Sequence, residues 1–119
     1  VNPKMVETTD AEALVQMNKV GVIENCDVVG PISYDIAMSA EIAKRKKYDC
    51  PYCGKFDILV TPTMVAGNLL NKGLTLTAGA TMAGVVMGAK VPVVLTSRGS
   101  TAEEKFLSLA LASLIAGKE

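Results

Sequence analysis

The stretch Pro92-Val93-Val94-Leu95-Thr96-Ser97-Arg98-Gly99-Ser100 decides the fold class of this chain. Its short apolar, β-branched run leads into a small polar turn, and Thr101–Glu104 then opens a helix with acidic residues in its first turn. In an open α/β sheet the end of such a strand faces the ligand crevice, and the next helix directs backbone N–H groups toward it. The pattern therefore predicts an α/β fold with a ligand site at this turn.

The side chains of this turn are of the types that phosphate or acyl-phosphate chemistry needs. Arg98 can hold two phosphate oxygens at once, and Ser97 can donate a hydrogen bond to a developing oxyanion. A carboxylate in the following helix can act as a base. The alternative interpretation is structural: a strand followed by a serine N-cap and a solvent-exposed arginine. These nine residues alone leave both interpretations open.

Length and composition limit the possible function classes. The 119 residues are enough for one ordinary domain. Twelve basic residues balance twelve acidic ones, so nothing suggests a nucleic-acid partner or an anionic membrane surface. Half of the residues are hydrophobic, but only 4% are aromatic, which favours helices and buried parallel strands over a β-sandwich.

Targeting signals are not visible in the sequence. The apolar stretch Met82–Ala89 contains two glycines and is too short to span a bilayer. The first residues are Val1-Asn2-Pro3-Lys4 and soon become polar, unlike a secretory signal, so we expect a cytoplasmic protein without membrane partners. Because an initiator methionine is missing, we also expect the sequence to be a piece of a longer chain.

Periodicity and turn signals predict alternating helices and strands, in the order α-β-α-β-α-β-β-α. The first predicted helix begins near Thr8. The other three cover Tyr34–Lys47, Val65 to about Leu76, and Ala102–Ala116. The predicted strands are Cys26–Pro31, Phe56–Pro62, Ala83–Gly88 and Val91–Thr96. The last two strands are too close in sequence for a crossover helix, so they either pair antiparallel or belong to different parts of a sheet. For the final helix we expect a broad apolar face made of Phe106, Leu107, Leu109, Ala110, Leu114 and Ile115.

The motif Cys50-Pro51-Tyr52-Cys53 matches the dithiol signature of glutaredoxins. In those proteins the first cysteine lies at a helix N-terminus, where the helix dipole stabilises the thiolate. Here a basic helix end precedes the motif, and that end has the opposite polarity. With only Cys26 as a third thiol and no histidine, a closed zinc site would need a carboxylate. We therefore interpret the motif as a turn with two incidental thiols and predict no metal site.

Several separated segments together resemble one enzyme family, the phosphate acyltransferases. They are Gly30–Ala37, Phe56–Pro62, Ala66-Gly67-Asn68 with Lys72, and Val91-Pro92 with Ser97-Arg98-Gly99. From about Asp27 onward the chain resembles the C-terminal part of phosphate acetyltransferase and phosphate butyryltransferase. The sequence of Val93–Arg98 is more similar to the butyryl type. The Cys50–Cys53 motif departs from the family pattern.

The resemblance implies transfer of an acetyl or butyryl-type acyl group between coenzyme A and inorganic phosphate. It implies a partial three-layer α/β/α sandwich of the isocitrate/isopropylmalate dehydrogenase type, no tightly bound cofactor, and a homodimer. Coenzyme A enters as a substrate. Family members are longer chains whose active site lies in a cleft between two domains. We therefore expect these 119 residues to be inactive alone, because one wall of a cleft cannot hold both substrates.

The resemblance also assigns roles to individual residues. The family's Ser-Arg pair falls on Ser97 and Arg98, which would hold phosphate or the acyl carbonyl and stabilise the transition state. The acetyl enzymes follow this pair with an aspartate proposed to deprotonate the thiol, and that place is Glu104 here, with Glu103 beside it. The longer carboxylate leaves the choice between the two open.

A second cluster follows the strand predicted at Phe56–Pro62. Gly67, Asn68 and Lys72 are predicted to bind a phosphate-bearing substrate, since residues four apart share one helix face. The alternative is that Asn68 caps its helix and Lys72 is solvated. For Asp35 we favour a first-turn acid that stabilises its own helix.

Two other function classes stay open from the sequence. One is a non-catalytic α/β fragment or binding module that keeps the fold without the reaction. The other is a thiol oxidoreductase built on Cys50 and Cys53.

Overall fold

The structure, a computed structural model, describes residues 1–117 and is mainly helical. The helices are α1 (Val6–Lys19), α2 (Tyr34–Met38), α3 (Ala40–Arg45), α4 (Met64–Lys72) and α5 (Ala102–Ala116), with a π-helical turn at Gly73–Thr77. The chain divides into two compact units, and we describe each by itself. Unit 1 is Val1–Gly67 and unit 2 is Asn68–Glu119.

In unit 1 the segment after α1 is organised by the amide of Asn18. Its Nδ2 donates to the carbonyl oxygens of Ile23 and Cys26, both at 2.9 Å. Its Oδ1 accepts from the N–H of Val28 at 3.2 Å. The strand predicted at Cys26–Pro31 is therefore wrong, because at its start backbone groups pair with a side chain in place of a neighbouring strand.

The single helix predicted over Tyr34–Lys47 is wrong, because the structure has two shorter helices there. It breaks at Ser39, whose φ of −140° and ψ of 112° are those of extended backbone. The Ser39 hydroxyl oxygen accepts from the N–H of Ile42 at 3.3 Å, so this residue ends α2 and caps α3. A serine side chain offers the backbone this alternative hydrogen bond, which explains the break.

The buried centre of unit 1 is made of small side chains. Ala37, Ala43 and Cys53 are buried, and they come from α2, α3 and the loop that follows α3. The N–H of Gly54 donates to the carbonyl oxygen of Ala37 at 2.7 Å. Gly54 has a φ of +79°, and a Cβ there would lie 3.3 Å from the backbone nitrogen of Ala40. The close approach of loop and helices therefore requires glycine at this position.

The segment Phe56–Pro62 is not a paired strand in the described structure. Its side chains Ile58 and Val60 are each 77% exposed, although the apolar run predicts burial. A parallel strand is stable only between neighbouring strands, with helices covering both faces of the sheet. Within residues 1–117 no such neighbours pair with it, so the predicted strand is wrong here.

Unit 2 contains an antiparallel contact between the last two predicted strands. Val86 and Val93 form an isolated bridge in which the N–H of Val86 donates to the carbonyl oxygen of Val93 at 2.8 Å. The antiparallel alternative is thus confirmed, but as one bridge and not as two full strands. Among the described residues the predicted three-layer α/β/α sandwich is reduced to helices and this bridge, and the dehydrogenase-like fold stays a prediction.

The helix predicted over Val65 to about Leu76 changes its geometry before its end. It is α-helical only from Met64 to Lys72 and continues as the π-helical turn Gly73–Thr77. The N–H of Ala78 closes the wider turn on the carbonyl oxygen of Gly73 at 3.1 Å. Thr75 donates its hydroxyl to the carbonyl oxygen of Asn71 at 2.9 Å, a bond that competes with regular helix pairing.

The final helix has the predicted bounds, Ala102–Ala116, but a different buried face. Ser108 and Ala112 are buried, whereas Phe106, Leu109 and Leu114 are exposed. The Ser108 hydroxyl donates to the carbonyl oxygen of Glu104 at 2.7 Å and accepts from the N–H of Gly84 at 3.0 Å. Leu107, Ala110 and Ile115 of the predicted apolar face are half-buried, so the prediction holds only in part; a helix that is apolar on most sides does not reveal which side is buried.

In the part of the chain that the structure describes, no helix has both the length and the apolar character needed to cross a bilayer.

The buried hydroxyl of Ser108 yields the first prediction. Ser108→Ala leaves the N–H of Gly84 without its acceptor, so the free energy of unfolding should fall by about 1–3 kcal/mol. Chemical denaturation measures the change. The matched control is Ser113→Ala on the same helix, whose exposed hydroxyl donates to the carbonyl oxygen of Leu109 and has no other hydrogen bond within residues 1–117. It should shift stability by no more than about 0.5 kcal/mol. Equal effects of the two substitutions would contradict this role for Ser108.

Candidate functional site

The predicted catalytic pair lies in a tight turn between an extended segment and α5. The N–H of Ser100 donates to the carbonyl oxygen of Ser97 at 3.0 Å, which closes the turn. The Ser97 hydroxyl oxygen accepts from the N–H of Gly99 at 3.3 Å. Because the oxygen acts as acceptor in this bond, the hydroxyl hydrogen is available for donation to a ligand.

The Arg98 guanidinium is at the tip of this turn and is exposed to solvent. It forms no ion pair with another described residue, since the two ion pairs there join Arg45 to Glu41 and Lys46 to Asp35. An exposed guanidinium without an internal carboxylate partner keeps its fork of donors available to an anion.

The start of α5 is fixed by a capping box. The Thr101 hydroxyl accepts from the N–H of Glu104 at 3.1 Å, and the Glu104 carboxylate accepts from the N–H of Thr101 at 2.9 Å. Glu104 is half-buried, and Glu103 beside it is exposed. One of the two candidate bases is thus held in place by its own helix, and the serine-cap alternative is wrong because threonine is the cap.

The second cluster lies on α4. Asn68 and Lys72 are four residues apart on this helix, with Asn68 exposed and Lys72 half-buried. The helix begins at Met64, and the Thr63 hydroxyl oxygen accepts from the N–H of Ala66 at 3.1 Å. Thr63 is therefore the N-cap, and the alternative that gave this role to Asn68 is wrong.

Gly67 has a packing role that the sequence did not reveal. A Cβ at this position would lie 2.8 Å from Oγ1 of Thr61, closer than real Cβ contacts. Any larger residue at position 67 would therefore force the Thr61 side chain to move. This packing role requires no ligand.

The two predicted clusters are not joined by polar contacts. No hydrogen bond or ion pair among the described residues links Asn68 or Lys72 to Ser97, Arg98 or Glu104. Ser97, Arg98 and the first-turn glutamates lie on one continuous segment, 97–104. The substrate-binding roles of Gly67, Asn68 and Lys72 stay predictions.

Asp35 is part of a local charge network in unit 1. Its carboxylate accepts from Nζ of Lys46 and from the hydroxyl of Ser33, both at 2.6 Å. These two hydrogen bonds, that of Lys46 first, lower the pKa of Asp35 from 3.8 to about 2. Asp35 is in the first turn of α2, as expected, and its carboxylate also ties that helix to the residue after α3.

The Cys50–Cys53 motif forms a turn after the C-terminal end of α3, as its sequence context predicts. Cys53 is buried, Cys50 is half-buried and Cys26 is exposed. Burial raises the pKa of the Cys53 thiol, with a hydrogen bond to Cys50 as the next cause. The raised pKa of Cys53 disfavours its thiolate form. Among residues 1–117 no group of three or more potential metal-ligating side chains is close enough to hold a metal ion.

A family model described as phosphate acetyl/butaryl transferase matches residues 1–113 of this sequence. The chain belongs to that family. The matched range includes the Ser97-Arg98 turn and most of the capped helix α5.

Individual members of the family are similar over nearly the whole chain. The phosphate acetyltransferase of Thermotoga maritima is 47% identical over 116 residues, which cover 98% of this chain and 40% of the relative. The probable phosphate butyryltransferase of Bacillus subtilis is 49% identical over 112 residues, or 94% of this chain and 38% of the relative. The chain spans about two fifths of the length of these family members. Its placement in their C-terminal part stays a prediction.

A solved structure of the family has the same fold over this region. The crystal structure of a branched-chain phosphotransacylase from Enterococcus faecalis V583 superposes with a TM-score of 0.81 at 43% sequence identity. The match covers 94% of this chain and 40% of that one. The chain therefore has the fold of part of a phosphotransacylase.

Several residues have structural roles that were not predicted from the sequence. The pattern Thr101-Ala102-Glu103-Glu104 carries a recognisable capping-box signature, so the role of Thr101 was readable from the sequence. The roles of Ser108 and Asn18 were not, because they depend on contacts with distant backbone groups.

The ion pair of Asp35 yields the second prediction. Lys46→Met removes the ammonium donor, so the pKa of Asp35 should rise from about 2 toward 3.8 while the Ser33 bond holds it slightly below. Carboxyl chemical shifts followed by NMR through acid measure this. The stabilisation by charged Asp35 is present above about pH 4 and is lost as the pH falls through about 2. Lys44→Met, on the same basic run, is the matched control and should leave the pKa unchanged. A pKa that does not move in Lys46→Met would contradict the pairing.

Proposed function

We propose that this chain is part of an enzyme that transfers an acyl group between coenzyme A and inorganic phosphate. The observation that carries the proposal is the exposed Ser97-Arg98 turn directly before the capped N-terminus of α5, in a chain of this family. Because the chain spans only about two fifths of its relatives, the activity is proposed for the complete enzyme.

Arg98 is proposed to bind the phosphoryl oxygens of the acyl phosphate. Its guanidinium can make two parallel hydrogen bonds to two oxygens, which fixes both the position and the orientation of the group. Its exposure at the tip of the turn and the absence of an ion pair with another described residue support this role. Attack of the coenzyme A thiolate on the acyl carbon forms the thioester and breaks the bond to the phosphate oxygen.

Ser97 is proposed to stabilise the negative charge that develops on the carbonyl oxygen during this attack. A hydroxyl donor held in place before the reaction stabilises the transition state more than a mobile one. The bond from the Gly99 N–H to the Ser97 oxygen supports this role, because it restricts the side chain while leaving the hydroxyl hydrogen for the substrate.

Glu104 is proposed as the base that removes the proton from the coenzyme A thiol. One carboxylate oxygen accepts from the N–H of Thr101, which leaves the second oxygen for a proton. Glu103 is the other candidate, and its carboxylate is exposed in the same helical turn.

The remaining predictions concern partners and surroundings. Gly67, Asn68 and Lys72 are proposed to contact the phosphate-bearing part of a substrate, and coenzyme A serves as substrate with no tightly bound cofactor. A homodimer in the cytoplasm is the proposed setting. The named relatives include acetyl and butyryl enzymes, so the acyl group is small and apolar. One methylene in an acyl pocket changes the binding free energy by only about 1–3 kcal/mol. The shape of the pocket in the complete enzyme therefore determines which acyl chain length is preferred.

Arg98 yields the third prediction. In the complete enzyme, Arg98→Lys should lower kcat/KM for the acyl phosphate at least about tenfold, because an ammonium cannot replace the planar fork of donors. The melting temperature should change little, since Arg98 is exposed and supports no core. Release of coenzyme A with acetyl phosphate or butyryl phosphate measures activity.

The matched control is Arg45→Lys, which changes the exposed arginine of α3 that pairs with Glu41. It should leave kcat/KM and melting temperature near normal. An Arg98→Lys enzyme with normal turnover would remove Arg98 from the proposed site.

Glu104 yields the fourth prediction. Glu104→Gln keeps an oxygen that can accept from the Thr101 N–H, so the cap and the melting temperature should be preserved. Because an amide cannot take the thiol proton, kcat should fall by about a hundredfold or more, the usual contribution of a general base. Glu103→Gln is the control with the same chemical change one residue earlier. If only Glu103→Gln lowers kcat, the base assignment moves to Glu103.

A further inference from the structure

The two thiols of the Cys50–Cys53 motif face one another across a turn. The N–H of Cys53 lies 3.4 Å from the carbonyl oxygen of Cys50, the contact that closes a four-residue β-turn. Pro51 occupies the second position of the turn, where its fixed φ preorganises the backbone. The ends of such a turn are within the separation that a disulfide requires.

Neighbouring contacts hold this turn in place. The N–H of Gly54 donates to the carbonyl oxygen of Ala37 at 2.7 Å, and the hydroxyl of Tyr52 donates to Asp27 at 2.5 Å. The Tyr52 ring also packs against Phe56, with ring centroids 6.3 Å apart. The turn is thus anchored on both sides of the second cysteine, which keeps Cys50 and Cys53 at the two ends of one short turn.

The thiols line an open cavity of about 380 Å³ beside α3. The charged side chains around it are Lys44 and Lys47 on one hand and Asp49 on the other, so the surroundings carry a net positive charge. Cys50 is half-buried and accessible from this cavity, whereas Cys53 is buried beneath it. A small anionic molecule that enters the cavity therefore reaches Cys50 first.

We propose that Cys50 and Cys53 form a dithiol site that is oxidised by low-molecular-weight anionic disulfides to an internal Cys50–Cys53 disulfide. This site is separate from the acyl-transfer residues and does not depend on the proposed function.

The exchange takes place in two steps that balance. The thiolate of Cys50 attacks one sulfur of the small disulfide, which forms a mixed disulfide and releases one thiolate. The thiolate of Cys53 then attacks the Cys50 sulfur, which forms the internal disulfide and releases the second thiolate. The two cysteine protons end on the two released thiols, the small disulfide is reduced, and the protein loses two hydrogens.

The environment makes this a slow modification site and not a thiol–disulfide catalyst. Burial of Cys53 raises the pKa of its thiol, so little of its thiolate is present at neutral pH and exchange at this cysteine is slowed. The motif also follows the C-terminal end of α3, where the helix dipole disfavours a thiolate.

The test is oxidation of the complete chain by oxidised glutathione, read by intact mass and by peptide mapping. All variants carry Cys26→Ser, which removes the exposed third thiol. With both motif cysteines present, the product should be a chain lighter by two hydrogens with a Cys50–Cys53 linkage. Cys53→Ser should accumulate a mixed disulfide with glutathione on Cys50. Cys50→Ser should react at least about tenfold more slowly, because Cys53 is buried.

Cys53→Ala provides a second variant, because a small apolar side chain suits the buried position better than serine. It should accumulate the same mixed disulfide on Cys50. Agreement between the two variants would show that the effect comes from loss of the Cys53 thiol and not from unfolding. Stable mixed disulfides on both cysteines of the parent, or no reaction of the folded parent, would overturn the proposal. Disulfides between two chains in place of the internal linkage would also overturn it.

The charge of the cavity is tested by changing the oxidant. Lys44→Gln together with Lys47→Gln should slow oxidation by anionic glutathione disulfide several-fold at low salt, and it should leave the rate with neutral hydroxyethyl disulfide unchanged. Equal slowing with both oxidants would show that the lysines act on the loop and not on the charge of the disulfide.

Discussion

The capping box of α5 fixes the segment on which the proposed chemistry depends. A helix begins with N–H groups that have no partner in the helix, and here Thr101 and Glu104 satisfy two of them reciprocally. Because the helix starts at one defined residue, the turn before it is short and closed by the Ser100–Ser97 bond. Arg98 therefore lies three residues before the Thr101 cap, in the turn to which the proposed phosphate binding is assigned.

In each unit one polar side chain satisfies backbone groups that would otherwise pair with a strand. Asn18 bonds three backbone groups of the segment that follows α1, and Ser108 bonds the N–H of Gly84 from the middle of α5. Buried backbone groups need such partners when a sheet does not supply them. These contacts explain why segments with strand-like sequences are held in place although the described residues form only one antiparallel bridge.

The sequence predicted the features that depend on neighbouring residues and failed on those that depend on distant ones. The bounds of α5 were predicted correctly, because the capping signature and the apolar run are both local. The break at Ser39 was missed, since a serine in a helical pattern does not show whether its hydroxyl bonds the backbone. Pairing of Phe56–Pro62 needs neighbours elsewhere in a sheet, so its apolar run could not settle it. For the site, Ser97 and Arg98 form one turn as their adjacency requires, whereas adjacency says nothing about where α4 places Asn68.

Glu104 both caps α5 and is the proposed base. A base is effective when its oxygen is held within reach of the proton before the reaction begins, because orientation then costs no entropy at the moment of transfer. The bond from the Thr101 N–H restrains the Glu104 carboxylate, whereas no such bond is seen for the exposed Glu103 within the described residues. The Glu104 side chain is long enough to reach back to the cap with one oxygen, which leaves its second oxygen for the proposed transfer from the thiol. The same hydrogen bond thus stabilises the helix and orients the proposed base.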